Sequence, residues 1–320
     1  MILNFFFRNR YKLLIIFSNL FFYLFLFNWI SQNINPQKLF HSFNEISFMP
    51  FLASITINLI ALLFYGLRMN YLISNKYINS FSIINIGYSL NTLLPFRLGE
   101  FFKILISYKI YKISFKRILA ATVTEKAIDL FKLIIIGIIL LLTAHNNILE
   151  TFVFNKLSIL SIFFIFLITC GIIFFTIKKR AYAFLRKGLK YLCSMPLLKI
   201  FTTSLVIWII NIMLVYFAFN YYISDINISI YDAVAILIIF SLSVSLPSAP
   251  AGIGVFEASI VYYLTNELNM SNEIALSLSF AFHLATTLPQ LFLTLFLLRK
   301  HLNYNFIKHI FLSKSFLNGK

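Results

Sequence analysis

The sequence predicts an all-α, polytopic membrane helix bundle. It has about six full spans, two re-entrant or broken helical hairpins, and both termini in the cytoplasm. Three observations predict it. First, the 320 residues are 60% hydrophobic and only 12% charged, with a mean hydropathy of +0.89, whereas soluble domains carry about 25% charged residues. Second, apolar runs of about 20 residues, the length that crosses a bilayer core, recur along the chain. Third, two apolar segments are interrupted by proline, glycine and a carboxylate. Irregular backbone at membrane depth survives only inside protein or beside a water-filled cavity.

The full spans fall at Leu13–Ile30, Met49–Leu67, Ile118–Thr143, Leu157–Ile177, Phe201–Tyr222 and Ile274–Leu298. The first follows Arg8, Arg10 and Lys12, and no small-residue cleavage site comes after it, so it reads as a retained helix. Spans and short connections fill the chain, which reads as one transmembrane domain, 1–320. Cys170 lies in a span and Cys193 in a basic loop, so neither a disulfide framework nor a metal site is implied.

The net charge of +17 has two readings, nucleic-acid binding or the positive-inside rule, and position decides. Basic residues cluster before the first span, after the second (Arg68, Lys76), before the third (Arg97 to Arg117), after the fourth (Lys178 to Lys199) and after the last (Arg299 to Lys320). Lys38 and Lys156 fall on the other side with Glu45, Glu150, Asp225, Glu267 and Glu273. That asymmetry explains the charge without nucleic acid.

It also requires Ser82–Tyr108 to return to the cytoplasmic side and Tyr231–Leu264 to the outer side, as re-entrant hairpins entering from opposite faces. The alternative for the second is two short complete helices, giving up to eight crossings. The breaks share a faint pattern. Pro95 and Gly99 are four apart, as are Pro250 and Gly254, with Glu100 or Glu257 following. This hints at inverted halves, about 1–150 and 151–320, an architecture common in secondary transporters.

Charges inside apolar sequence are the candidate functional residues, because a charge at the bilayer centre costs at least ~2.5 kcal/mol. Glu257 can be a cavity carboxylate that meets a cationic group or a proton, or a cap for loose hairpin amides. Glu100 can pair locally with Arg97 three residues earlier, while Arg97 can alternatively bind a lipid phosphate. Glu125, Asp129 and Lys132 share a helix face, either as a polar stripe toward the first hairpin or as a structural ion-pair network; Lys126 points elsewhere. His283 is read as a hydrogen-bonded packing residue or a proton relay. Asn58, Asn91 and Asn211 are buried amides that can bond across helices, and Pro289 kinks the last span. The basic loop Lys178–Lys190 reads as lying on anionic lipid. No P-loop, nucleophile elbow or metal-ligand spacing is present, so no cofactor, metal or catalytic residue is expected.

These motifs resemble the lysylphosphatidylglycerol synthase transmembrane family, flippase-like membrane proteins. The residues that carry the likeness are Asn91, Pro95, Arg97, Gly99 and Glu100; then Glu125 and Asp129; then Pro247, Pro250, Gly252, Gly254 and Glu257. Arg68 resembles a basic residue common after the second span, with Met69 where a tryptophan often stands. An arginine commonly follows the glutamate of the second motif, where this chain has Lys126, and another is frequent near the place of His283. The resemblance implies a cytoplasmic-membrane protein that moves lipids or lipid-linked molecules. It does not imply lysyl transfer, which belongs to a soluble domain. The leading expectation is therefore a non-enzymatic, flippase-like transporter. In it, Glu257 and Glu100 contact a cation or exchange protons, and Arg97 contacts phosphate. The rival is a non-transporting partner of a glycosyltransferase or lipid-modifying enzyme of the cell envelope.

Overall fold

The computed structural model describes residues 24, 28, 31–94, 97–143, 195–224, 226–245 and 252–299. The expected spans over 13–30 (apart from residues 24 and 28) and 157–177 lie outside the described residues. So do Pro95, Pro247, Pro250, both cysteines and the basic loop 178–190.

Regular structure among the described residues is helical: α1 (Pro36–Asn44), α2 (Phe48–Ile73), α3 (Tyr77–Leu93), α4 (Leu98–Lys109), α5 (Phe115–Thr143), α6 (Leu197–Tyr221), α7 (Ile230–Ser245), α8 (Val255–Asn266) and α9 (Asn272–Leu298). The starts are chemically marked. Asn35 accepts hydrogen bonds from the amides of Gln37 and Lys38, with Pro36 at the first helical position. Ser271 accepts from Ile274 at the start of α9. Helices α2, α6 and α9 are long and apolar enough to cross a membrane. Helix α5 is longer still, at 29 residues, but carries Glu125, Lys126, Asp129 and Lys132 near its middle.

The order of lengths repeats. Helices α2 to α5 have 26, 17, 12 and 29 residues; α6 to α9 have 25, 16, 12 and 27. In each set a long helix leads into a pair of short ones and a long helix follows. At 1.5 Å per residue the 12-residue helices reach only ~18 Å, too little for the ~30 Å hydrocarbon core.

Each short pair is an antiparallel hairpin. Gly99 and Lys103 of α4 lie against Asn91 and Gly87 of α3, in reversed order. Asp232 at the start of α7 accepts from the Tyr263 hydroxyl near the end of α8 at 2.8 Å, and Phe240 packs on Phe256. The hairpins enter from opposite ends of the bundle. At one end the Ser47 amide donates to the Tyr222 carbonyl (2.7 Å), Tyr231 reaches the Leu140 carbonyl and Glu273 accepts from Asn35. This end holds the open end of the α7–α8 hairpin. At the other, Lys199 lies 5.9 Å from the Tyr71 ring, and Ile73, Ile113 and Ile200 share a core with Ile83 of α3. The tips meet in between, where Arg97 Nη1 donates to the Val244 carbonyl at 3.0 Å.

Each hairpin has its own apolar core. Phe219, Phe256, Ile260 and Phe282 centre one; Met69, Leu72, Ile83 and Ile118 centre the other. Side chains buried this way contribute roughly 1.5–3 kcal/mol each in water. In a bilayer much of that becomes packing instead, because lipid tails are as apolar as leucine.

Two placements differ from the sequence reading. The second span does not end at Leu67. Helix α2 continues to Ile73, so Arg68 sits inside it at 1% exposure. Lys103, counted among the basic residues of a cytoplasmic cluster, is fully buried in α4. The apolar residues after each, Met69, Leu72 and Ile73 or Ile104 to Ile106, carry the helix past the charge.

A charged network and a chamber between the hairpin tips

Helix α5 presents Glu125 and Asp129 four residues apart, hence on one face, toward Arg68 of α2. Arg68 forms a fork with Asp129: Nη1 to Oδ1 at 2.6 Å and Nη2 to Oδ2 at 3.1 Å. Its Nη2 also donates to Glu125 Oε1 at 3.1 Å. Such bidentate charge-assisted pairs are the strong ones. Lys103 of α4 reaches the other Glu125 oxygen at 3.1 Å and Glu100 at 2.6 Å. Glu100 in turn meets Lys126 at 2.8 Å, and Asp129 meets Lys132 at 3.1 Å. Tyr88 donates to Glu125, and Lys132 donates to the Ser204 carbonyl of α6. The network therefore ties α2, α4, α5 and α6 together with α3.

This geometry corrects two expectations. Arg97 does not pair with Glu100. Glu100 lies in the first turn of α4, where a carboxylate complements the helix dipole, and takes Lys103 and Lys126 instead. Lys126 does not stand apart, because Glu100 comes to it from the facing hairpin. The Glu125, Asp129 and Lys132 face is occupied as an ion-pair network.

Gly99 explains how the first hairpin closes. A Cβ there would overlap the Gly87 carbonyl and the Asn91 backbone nitrogen and side chain, so only glycine lets α4 start this close to α3. Arg97 just before it holds φ 55° and ψ 35°, a left-handed conformation that costs a side-chain-bearing residue of order 1 kcal/mol or more. In the second hairpin Gly252 and Gly254 take the positive φ values, 74° and 87°. The Gly254 amide donates to Glu257 Oε2 at 2.6 Å, and Glu257 Oε1 lies 2.6 Å from His283 Nδ1. Glu257 thus caps the hairpin turn and also has a partner across helices. The histidine that stood alone in sequence faces it from α9, with the Phe256 ring 4.8 Å away.

Between the tips lies a chamber of about 480 Å³, within the range of small-molecule sites. Of the candidate residues it brings Asn91, Arg97, Asp129, Gly252 and His283 to its wall; Lys126 joins them. Gly99, Glu100, Glu125, Gly254 and Glu257 are not among its lining residues. Pro95 and Pro250 lie outside the described residues. Asn91 Oδ1 is buried in that wall with no hydrogen-bond partner among the described residues.

Sequence reasoning missed Arg68 and Lys103 as network members and Tyr65, Tyr88 and Trp208 as wall residues. For the two bases a signal existed: each stands singly with apolar residues on both sides. The aromatic residues carry no such mark.

An all-α bundle with buried charges at its centre and two facing broken hairpins defines an integral, multi-pass membrane protein. A family model described as the lysylphosphatidylglycerol synthase TM region matches residues 11–294, and the chain belongs to that family. No curated protein and no solved structure matches the chain.

Proposed function

We propose that this protein is a flippase-like transporter of the cytoplasmic membrane. The polar head of a lipid or lipid-linked molecule passes through the chamber while its acyl chains stay in the bilayer. The observation that carries this reading is a chamber between two hairpin tips that approach from opposite ends, its largely apolar wall carrying Asn91, Arg97, Lys126, Asp129 and His283. Half-helices that meet near mid-bilayer are the usual framework of transport sites. The Arg97 to Val244 bond joins the two hairpins, and Gly99, Gly252 and Gly254 near it would serve as hinge points. Rocking one hairpin and its long helices against the other would open the chamber to each side in turn. Glu100, Glu125, Asp129 and Glu257 each already hold a basic or amide partner, which favours transport over acid–base catalysis.

The test is leaflet-resolved lipid analysis of a deletion strain, complemented with wild type or Arg97→Gln. One lipid or lipid-linked glycan should accumulate in the inner leaflet, and only wild type should restore it. If leaflet distribution is unchanged while total envelope lipid or glycan synthesis falls, the transporter reading is wrong. The role would then be that of a partner to a biosynthetic enzyme.

A further inference from the structure

We infer that the chamber takes a phosphate-class anion without a compensating cation: a phosphate monoester or anionic phosphodiester carried on a lipid. The inference rests on the transport reading and narrows its substrate class.

The carboxylates are committed. Both Asp129 oxygens accept from Arg68, and Oδ1 also lies 3.1 Å from Lys132. Glu100 is held between Lys103 and Lys126. Glu125 is fully buried between Arg68 and Lys103. Glu257 is engaged by the Gly254 amide and His283. Asp129 is the one described carboxylate in the chamber wall, and a cationic head group there would compete with Arg68 and Lys132 for its oxygens; weakening a buried ion pair from one side is unfavourable.

The cations are less committed. Arg97 carries five N–H donors, and one hydrogen bond is formed by them among the described residues, to Val244. Lys126 lines the chamber with 41% of its side chain exposed, and its one ion pair among the described residues is with Glu100, outside the chamber wall. The surrounding charge has the same sign. Among the described residues, Arg68, Arg97, Lys103, Lys126 and Lys132 face four carboxylates, Glu100, Glu125, Asp129 and Glu257, before any proton on His283 is counted. Residues 95–96 and 246–251, outside the described residues, contain no charged residue in sequence. A chamber with low-dielectric walls focuses this excess on its contents. A guanidinium fork matches phosphate oxygens in planarity and spacing. Arg97 is also held in a conformation that costs energy, a mark of functional positions.

The test uses purified full-length protein in detergent, with Trp29→Phe so that Trp208 in the chamber wall reports binding by its emission. The probes are dihexanoyl phosphatidic acid, dihexanoyl phosphatidylglycerol, its lysyl ester and inorganic phosphate. Both anionic lipids should bind about tenfold or more tightly than the lysyl ester. Arg97→Gln should weaken them about tenfold, with Arg97→Lys recovering part of the loss. Lys126→Gln should weaken them by a smaller factor, and it serves if Arg97→Gln does not fold. Equal or tighter binding of the lysyl ester overturns the inference, as does unchanged anionic-lipid affinity in folded Arg97→Gln and Lys126→Gln. Inorganic phosphate binding as tightly as the lipids would keep the anion site but remove the lipid as its source, and the transport reading would fall instead.

Discussion

The Arg68 guanidinium gives its donors to two carboxylates of α5 and to the Ser204 hydroxyl of α6. It is therefore both a charge and a three-helix clamp. Removing it leaves Glu125, which is fully buried, with Lys103 and Tyr88 alone, and Asp129 with Lys132 alone. Breaking a buried pair from one side costs roughly 3–5 kcal/mol. Arg68→Leu should therefore lower both membrane abundance and the thermal midpoint of the purified protein. Lys126→Gln should change stability by under ~1 kcal/mol, because the Lys126 to Glu100 pair is partly exposed and such pairs are weak. Thermal-shift measurement of the two variants side by side checks the contrast; equal losses would mean that the network is not organised around Arg68.

At the scale of elements, α9 contains Pro289, which has no N–H to give the Ala285 carbonyl four residues back. Asn58 of α2 answers this. Its Nδ2 donates to the Thr286 carbonyl at 2.8 Å and approaches the Ala285 carbonyl at 3.4 Å. The proline and the asparagine are thus two halves of one device, the Asn58 to Thr286 bond spanning 228 residues of chain. Asn58→Leu should cost about 1–2 kcal/mol by leaving the buried Ala285 carbonyl unpaired. In a Pro289→Ala background, where α9 can satisfy Ala285 itself, the loss should shrink by half or more. A double-mutant cycle on unfolding midpoints measures this coupling, and strictly additive losses would refute it. The sequence made both residues legible, Asn58 as a buried amide and Pro289 as a kink, but not their meeting. The hairpins were legible for a local reason: proline and glycine interrupt a run whose hydrophobicity otherwise continues. The partners of Glu100 and Glu257 were not, because Lys126 and His283 come from other helices and no periodicity links them.

At the scale of the whole molecule, the repeated order of long, short, short and long helices is visible only once the helices have ends. In sequence the repeat reduces to two Pro–Gly spacings. The architecture makes a claim about sidedness that the charge distribution also makes. The α4–α5 turn shares its end of the bundle with the open end of the first hairpin, and it carries Lys109, Lys112, Lys116 and Arg117 in or beside it. The α6–α7 turn lies at the opposite end with the second hairpin. The positive-inside rule puts the basic end in the cytoplasm, so the two turns should face different compartments. Single cysteines at Lys112→Cys and Asn227→Cys, both exposed positions, in a Cys170→Ser, Cys193→Ser background, test this. In intact cells a membrane-impermeant maleimide should label the Asn227→Cys variant and leave the Lys112→Cys variant unlabelled until the membrane is permeabilised. Labelling of both from one side would put the two hairpins on one face. A head group could then not be handed from one tip to the other, and the chamber would be a dead-end pocket, not a path.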